Sequence, residues 1–562
     1  MIRKINLLLF ASMLFTIAEG QQHAASINID LAKKTKETLK PIWNWFGYDE
    51  PNYTYMKDGK KLLTELAQSS PVPVYVRCHN LLTTGTGKAS LKFGSTNAYT
   101  EDAQGNPIYN WTITDSIFDT YIQRGMKPFA QIGFMPEALS IKPQSDSFEI
   151  TPAKEKVYHY MGWNQPPSSY KKFAELVYQW VKHCVQRYGK KEVESWYLEL
   201  WNEPDISYWK GTTEEYIKLY DYTADAAKRA LPTIRIGGPE TTNPGSENAG
   251  KFLTTFLEHV VSGKNYATGK KGTPLDFITF HSKGQPKAIN DTVWMNMGVQ
   301  LKNIDKGFQI VASFPTLKNL PIIIGESDPE GCAACPEDIF PNNAYRNGTM
   351  YSSYTAASFP RKYEMAKSRG VNLLGALTWA FEFENQPWFR GFRDLATNGV
   401  DKPVLNVFRM FDMLEGNTVP AESNSIYDYS TVRDSSVRGE SSDINAMATA
   451  NEHSASVIVW NYHDKNDLSV PPAPVNLSVK GIAATKILLT HYRIDQEHSN
   501  SYTAWKKMGS PQQPSEEQIT ALEKAGQLQM LGSPKWLTVK DGLAIIDFDL
   551  PRQGVSLIKI TW

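Results

Sequence analysis

Cysteine is scarce: Cys78, Cys184, Cys332 and Cys335 are the only four in 562 residues. A disulfide-stapled scaffold is therefore excluded. Cys332-Ala-Ala-Cys335 has no second pair and no nearby histidine, so it reads as structural thiols or a local disulfide rather than a metal site. Charge of one sign is also lacking. With 59 basic and 59 acidic residues, nothing points to nucleic acid or a membrane surface as partner. No Gly-rich phosphate loop follows an early strand, Gly237-Gly238 being too little to count. There is no GxSxG elbow, no HExxH, and the ten histidines do not cluster. No cofactor and no metal is expected. The one long apolar run, Ile5 to Ile17, follows Arg3 and Lys4 and precedes Ala18-Glu19-Gly20. Residues 1–20 thus read as a secretory signal, which predicts a secreted or periplasmic protein; the run is too short for a convincing membrane span.

Strand-like runs are abundant. Eight recur at 41–48, 72–80, 127–137, 195–204, 233–240, 275–284, 320–327 and 371–383, with spacers between them able to form helices. Residues 212–230 open on the capping signature Thr212-Thr213-Glu214-Glu215, and residues 168–188 run from Ser168-Ser169 to a stop at Gly189. Strands that are near-continuous apolar runs belong in parallel sheets covered by helices. The fold class is therefore α/β, a (β/α)8 TIM barrel over 41–416, with an open doubly wound sheet as the alternative. After that the texture changes. Residues 417–450 are rich in Ser, Asn, Asp and Thr and read as linker and surface loop. Alternating strands at 454–462, 475–479, 485–494, 543–550 and 555–562, with one helix capped by Ser515 and Gln518, read as a C-terminal β-sandwich over 417–562. The segment 21–40 holds an isolated strand, Ile27, Ile29 and Leu31 alternating with polar neighbours, which is expected to pair into that sandwich.

Two strands end in a glutamate. The run WYLELWNEPD (196–205) halts at Pro204 with Glu203 at its exit, and PIIIGE (321–326) ends at Glu326 before a turn-rich segment. Period-2 alternation would place Tyr197, Glu199, Trp201 and Glu203 on one side and Leu198, Leu200 and Asn202 on the other. Active sites of (β/α)8 barrels lie at the C-terminal strand ends. Two carboxyl groups about 5 Å apart there, one protonated and one ionised, make the machinery for retaining glycosidic cleavage. Glu203 is the expected acid/base and Glu326 the expected nucleophile; Glu199 lies a pleat deeper, as barrel interior. Glu137, Glu382 and Glu384 also sit at strand ends, within possible reach of substrate hydroxyls. Trp379 is read as a sugar platform or as wall packing. Substrate would be an oligosaccharide or polysaccharide, and a glycan-binding barrel without catalysis is the competing reading.

WNEPD, together with RCHNLL at 77–82, FMPEAL at 134–139 and RIDQEHSNSYTAWKKMGSP at 493–511, resembles glycoside hydrolase family 39, which contains β-xylosidases and α-L-iduronidases. The resemblance runs along essentially the whole mature chain. It implies a retaining mechanism with Glu203 as acid/base and Glu326 as nucleophile, and His79, Asn202 and His281 as substrate contacts. Two departures from the xylosidase pattern stand out. Ser327-Asp328-Pro329 follows the nucleophile where xylosidases usually carry Trp, and His281-Ser282-Lys283-Gly284 is similar to the iduronidases' His-Arg-Lys-Gly. Lys283 is thus either a point charge for a uronic acid or a solvated loop lysine. Arg390 and Arg393 add either a bidentate clamp or surface charge.

Overall fold

A computed structural model describes residues 24–92, 94–143, 148–150, 156–158, 163–290 and 292–562. The segment read as a secretory signal lies outside them. Among the described residues no helix is long and apolar enough to cross a membrane.

Eight parallel strands close a barrel: Trp45–Tyr48, Tyr75–Cys78, Lys127–Ile132, Tyr197–Leu200, Arg235–Thr241, Phe277–Phe280, Pro321–Ile324, and an eighth in two pieces. One piece of the eighth, Asn372–Ala376, pairs with the seventh strand; the other, Thr378–Trp379, pairs with the first and completes the circle. The expected barrel is the observed fold. Its lower end is plugged by aromatic side chains. Trp45 stacks on Tyr75 at 4.2 Å, and Tyr197 meets Phe277 edge-on at 5.0 Å. Two glycines make room for that plug. A Cβ on Gly375 would lie 2.6 Å from the Trp45 ring, and one on Gly237 would lie 2.5 Å from Phe277. One pleat above the plug the inward residues turn polar, with Arg77 and Glu199 fully buried.

The helices between strands begin where the sequence caps them. Ser169 accepts from the Lys172 N–H at the start of Tyr170–Tyr188, and Thr212 with Glu215 forms a reciprocal capping box ahead of Thr213–Ala230. Each cap stabilises its helix by about 1 kcal/mol.

The C-terminal part is two sheets face to face, one antiparallel and one mixed. The larger is built around Asp443–Ala450, Ser454–Tyr462, Val555–Thr561 and Lys486–Ile494. The smaller runs Ala421–Ser423, Ala25–Asp30, Ala473–Lys480, Leu543–Leu550. The N-terminal strand thus enters the sandwich, parallel to Ala473–Lys480 and antiparallel to Ala421–Ser423. The linker reading of 417–450 is corrected: strands Asn417–Val419, Ala421–Ser423 and Asp443–Ala450 and the helix Tyr429–Ser435 occupy it. Ile444, Ala446, Ala448 and Ala450 do alternate inward, but alanine is a weak strand former and the signal is faint. A second helix, Ser501–Lys507, joins the Ser515-capped one at Glu516–Gly526. At the junction with the barrel, Arg361 and the Trp460 indole N–H both reach Asp443 Oδ2 at 2.8 Å, all buried.

Candidate active site

The fourth strand stops at Leu200, three residues before Glu203. Trp201 (φ +69°) and Glu203 (φ +49°) take left-handed backbone conformations that side-chain-bearing residues rarely adopt. Alternation therefore fails beyond Leu200, which corrects the two-sided assignment. Trp201 turns outward, its indole N–H donating to the Tyr208 carbonyl at 2.8 Å. Asn202 and Glu203 both turn to the mouth. The Glu203 N–H donates to the Glu240 carbonyl at 2.8 Å, which fixes the turn. At the seventh strand the backbone is held likewise: Ser282 N–H donates to the Glu326 carbonyl at 2.8 Å and Ser327 N–H to Leu377 at 2.8 Å.

These turns bring the two glutamates together. One carboxylate oxygen of Glu203, one of Glu326 and a ring nitrogen of His281 all lie within 4.8 Å of one another. His281 Nδ1 is 2.9 Å from Glu203 Oε1 and 3.6 Å from Glu326 Oε1. Lys283 Nζ bridges the pair, 2.5 Å from Glu203 Oε1 and 3.0 Å from Glu326 Oε2. Arg393 Nη2 donates to Glu326 Oε2 at 3.0 Å, and Arg77 Nη1 lies 3.5 Å from Glu326 Oε1. The spacing of the trio would suit a divalent ion, yet the Lys283 ammonium already supplies the positive charge between the two carboxylates.

Beneath lies a second tier. Arg77 Nε donates to Glu199 at 2.5 Å, Arg77 Nη2 to Asn202 Oδ1 at 2.9 Å, and Arg77 Nη1 lies 3.2 Å from Asp49. Glu240 faces His281 Nε2 and Arg77 Nε, each at 3.6 Å. Burial separates the protonation states in this cluster. It would raise Glu326, but Lys283, His281, Arg393 and Arg77 together hold that carboxyl well below the usual range. Burial likewise opposes ionisation of Glu203, and Lys283 and His281 overcome it, to about 2. His281 is pushed down by burial and up by Glu326 and Glu240, to about 9. Asp49 is raised by burial to about 7 despite Arg77, and Glu199 well above its normal value for the same reason. His79 is lowered by burial and by Arg77, so its ring is neutral; its buried Nε2 has no hydrogen-bond partner among the described residues.

Among the expected residues, Glu203, Glu326, His281, Lys283 and Asn202 converge, and Arg393 joins them from the loop after the eighth strand. Trp379 is buried at the wall with the Arg393 guanidinium 3.4 Å over its ring, so one face of the indole is already covered. Arg390 points elsewhere, to Asp338 at 3.4 Å. Glu382 accepts from Gly399 N–H, Glu384 from Asp58 N–H, and Glu137 starts a 3-10 turn; none touches the pair. Sequence reasoning missed Arg77, Asp49 and Glu240. Glu240 closes the fifth strand as Glu203 and Glu326 close theirs, and Arg77 is the lone charge in its strand, so both carried a signal. The Cys332–Cys335 pair is a disulfide, and its loop supports Arg393: Arg393 N–H donates to the Ala333 carbonyl and Arg393 Nη1 to the Glu330 carbonyl, each at 3.0 Å.

A barrel whose mouth opposes two glutamates at this range, with Asn preceding one of them, is the build of a glycoside hydrolase that works through two carboxylates. The chain belongs to glycosyl hydrolases family 39, whose profile matches residues 25–534. It is 28 % identical over 458 residues to a β-xylosidase of Caldicellulosiruptor saccharolyticus, covering 80 % of this chain and 82 % of that one. It is 23 % identical over 536 residues to the α-L-iduronidase of Mus musculus, covering 88 % and 74 %. A solved structure described as a monomeric β-xylosidase from Caulobacter crescentus shares the fold, with a TM-score of 0.73 at 20 % identity over 95 % of this chain and 99 % of that one.

Proposed function

We propose that the protein is an exported exo-glycosidase that cleaves a terminal sugar from oligosaccharides with retention, through a covalent intermediate on Glu326. The observation that carries this reading is the carboxylate separation, under 4.8 Å. Retaining pairs stand about 5–5.5 Å apart, whereas inverting pairs leave about 6.5–9.5 Å for a water. Glu326, kept ionised by Lys283, His281, Arg393 and Arg77, attacks the anomeric carbon. Glu203 protonates the departing oxygen and then takes a proton from the water that hydrolyses the intermediate. Asn202 and the free Nε2 of His79 hold sugar hydroxyls. Lys283 and Arg393 favour a glycone bearing a carboxylate, a uronic acid, over a neutral pentose, because a neutral sugar would leave the displaced ammonium unpaired. The signal-like residues 1–20 support export, and cell fractionation checks it.

A 2-fluoro glycoside of the preferred sugar should label Glu326, and NMR of the released sugar should show the substrate's own anomeric configuration first. Label on another residue, or inversion, would overturn the reading. Glu203→Ala should cut turnover of poorly activated glycosides by about 10²- to 10⁴-fold, with azide restoring part of the rate on aryl glycosides. A panel of aryl xylosides, arabinosides, galactosides and uronides names the sugar; tight binding without turnover of any would point to a glycan-binding barrel.

A further inference from the structure

The acid role of Glu203 requires a proton, yet in the resting site its carboxylate meets an ammonium and a histidine N–H and is ionised. The surroundings of His281 resolve this. The imidazole is fully buried and set among three carboxylates: Glu203 at 2.9 Å and Glu326 at 3.6 Å from Nδ1, and Glu240 at 3.6 Å from Nε2. Glu240 itself is fully buried, and neither of its carboxylate oxygens has a hydrogen-bond donor among the described residues. Its charge is answered by His281 and by Arg77 Nε, each at 3.6 Å, with the Glu199 carboxyl, raised well above its normal value by burial, beside it. The chain makes room for it: a Cβ at Gly325 would lie 1.6 Å from Glu240 Oε1. Its main-chain carbonyl meanwhile anchors Glu203. One residue thus grips Glu203 by the backbone and faces the ring nitrogen of His281 remote from Glu203.

Building on the acid/base reading of Glu203, we propose that His281 stores, as an imidazolium, the proton that Glu203 delivers to the glycosidic oxygen, and that Glu240 is the positioning residue that keeps His281 charged. In the resting enzyme Glu203 is a carboxylate and His281 carries protons on both nitrogens. Sugar entry draws Lys283 away from Glu203, and the Nδ1 proton crosses to Glu203 Oε1. That proton passes to the leaving oxygen as the C1–O bond breaks and the Glu326 oxygen bonds to C1. In the second half, water oxygen attacks C1, Glu326 leaves as carboxylate, and the water proton returns through Glu203 to Nδ1. No net proton or electron is gained or lost. The groups facing His281 are Glu203, Glu240, Glu326 and Lys283, with His79 and Arg77 next to them. Burial works against the imidazolium, and the carboxylates outweigh it, to about 9.

The test is kcat/KM against pH for wild type, Glu240→Gln and His281→Asn, on the 4-nitrophenyl glycoside that the panel identifies and on the matching methyl glycoside. Wild type should lose activity on the basic side near pH 9. Glu240→Gln should move that limb down by about one pH unit or more, while the 2-fluoro glycoside still labels Glu326. His281→Asn should lose about 10²-fold on the methyl glycoside and far less on the nitrophenyl one, whose leaving group needs no proton. A folded Glu240→Gln enzyme with the wild-type basic limb would overturn the proposal, as would His281→Asn with full activity on the methyl glycoside. Should Glu240→Gln not fold, NMR of wild-type enzyme carrying ¹⁵N-histidine decides: a His281 ring neutral at pH 7 sinks the idea. Failure of the glycosidase reading shows separately, as inversion or misplaced label in wild type.

Discussion

The core of the sandwich and the mouth of the barrel bury their residues by opposite rules. Between the two sheets the packing is mainly aliphatic: Ile27, Leu477, Val479, Val457, Ile487, Ile546 and Ile560 meet there, and the buried Arg493 and Ser556 are hydrogen-bonded to each other at one end. At the barrel mouth Asp49, Arg77, Glu199, Glu203, Glu240, His281, Glu326 and Arg393 are buried together. The first arrangement yields stability from apolar area removed from water, at about 25 cal/mol per Å². The second yields little, because desolvation of each charge offsets most of its attraction to the next. What it provides is a set of prealigned charges in a low-dielectric pocket, where they act strongly on a developing charge. Stability and reactivity are thus kept in different parts of one chain, and the aromatic plug under Arg77 and Glu199 separates the polar tier from the barrel's lower end.

The sharpest way to break this contrast is to alter one residue in each region and compare rate with stability. Glu326→Gln should lower turnover by about 10⁴-fold or more while circular dichroism still reports a folded enzyme at assay temperature. Leu477→Ala should do the reverse, costing about 2–5 kcal/mol in denaturant unfolding while the enzyme that remains folded keeps its kcat. Rate loss without unfolding from the second change would refute the division. Lys362 sharpens it from another side. This ammonium is fully buried on the helix Thr349–Arg369, has no hydrogen-bond acceptor among the described residues, and sits 3.7 Å from the Phe359 ring centre. Burial pushes its pKa down from 10.5 to about 7. Between those values the unfolded chain binds more protons than the folded one, so this lysine makes stability rise as pH climbs from 7 to 10.5, with the full penalty present below 7. Lys362→Met should remove that slope and raise Tm at pH 6 by several degrees. The smallest effect is expected at Arg393→Lys, which loses the fork that touches Glu326 and the Glu330 carbonyl at once. A drop of about tenfold in kcat/KM with unchanged Tm would place Arg393 with the reacting groups rather than with the scaffold.

How far the molecule was readable from sequence follows the same division. Barrel strands announce themselves as apolar runs, and their ends locate Glu203 and Glu326 because a helix or turn must begin there. The two capping boxes, at Thr212 and Ser515, are local chemistry and appear where the residues put them. The strand Asp443–Ala450 escapes because its inward residues are mostly alanines, which carry little apolar contrast against Asn445 and Thr449. The lower tier of the site escapes for a different reason: Arg77 and Glu240 sit on different strands and Asp49 just past the end of a third, and only barrel closure brings them together. Even at Glu203 alternation misleads, since left-handed residues cannot be seen in a pattern of hydrophobicity.

The strand Ala25–Asp30 has a consequence for how the polypeptide matures. Asn28 reaches Ser478 across a separation of 450 positions. Asn28 must therefore wait until some 450 further residues have been made before this neighbour exists. The sandwich cannot close behind a finished barrel as an independent late arrival; one of its sheets is made of strands from before and after the barrel. Loop closure over such a span is slow rather than costly, so a truncated product ending before Ala473 would carry an open sheet edge in place of that pairing.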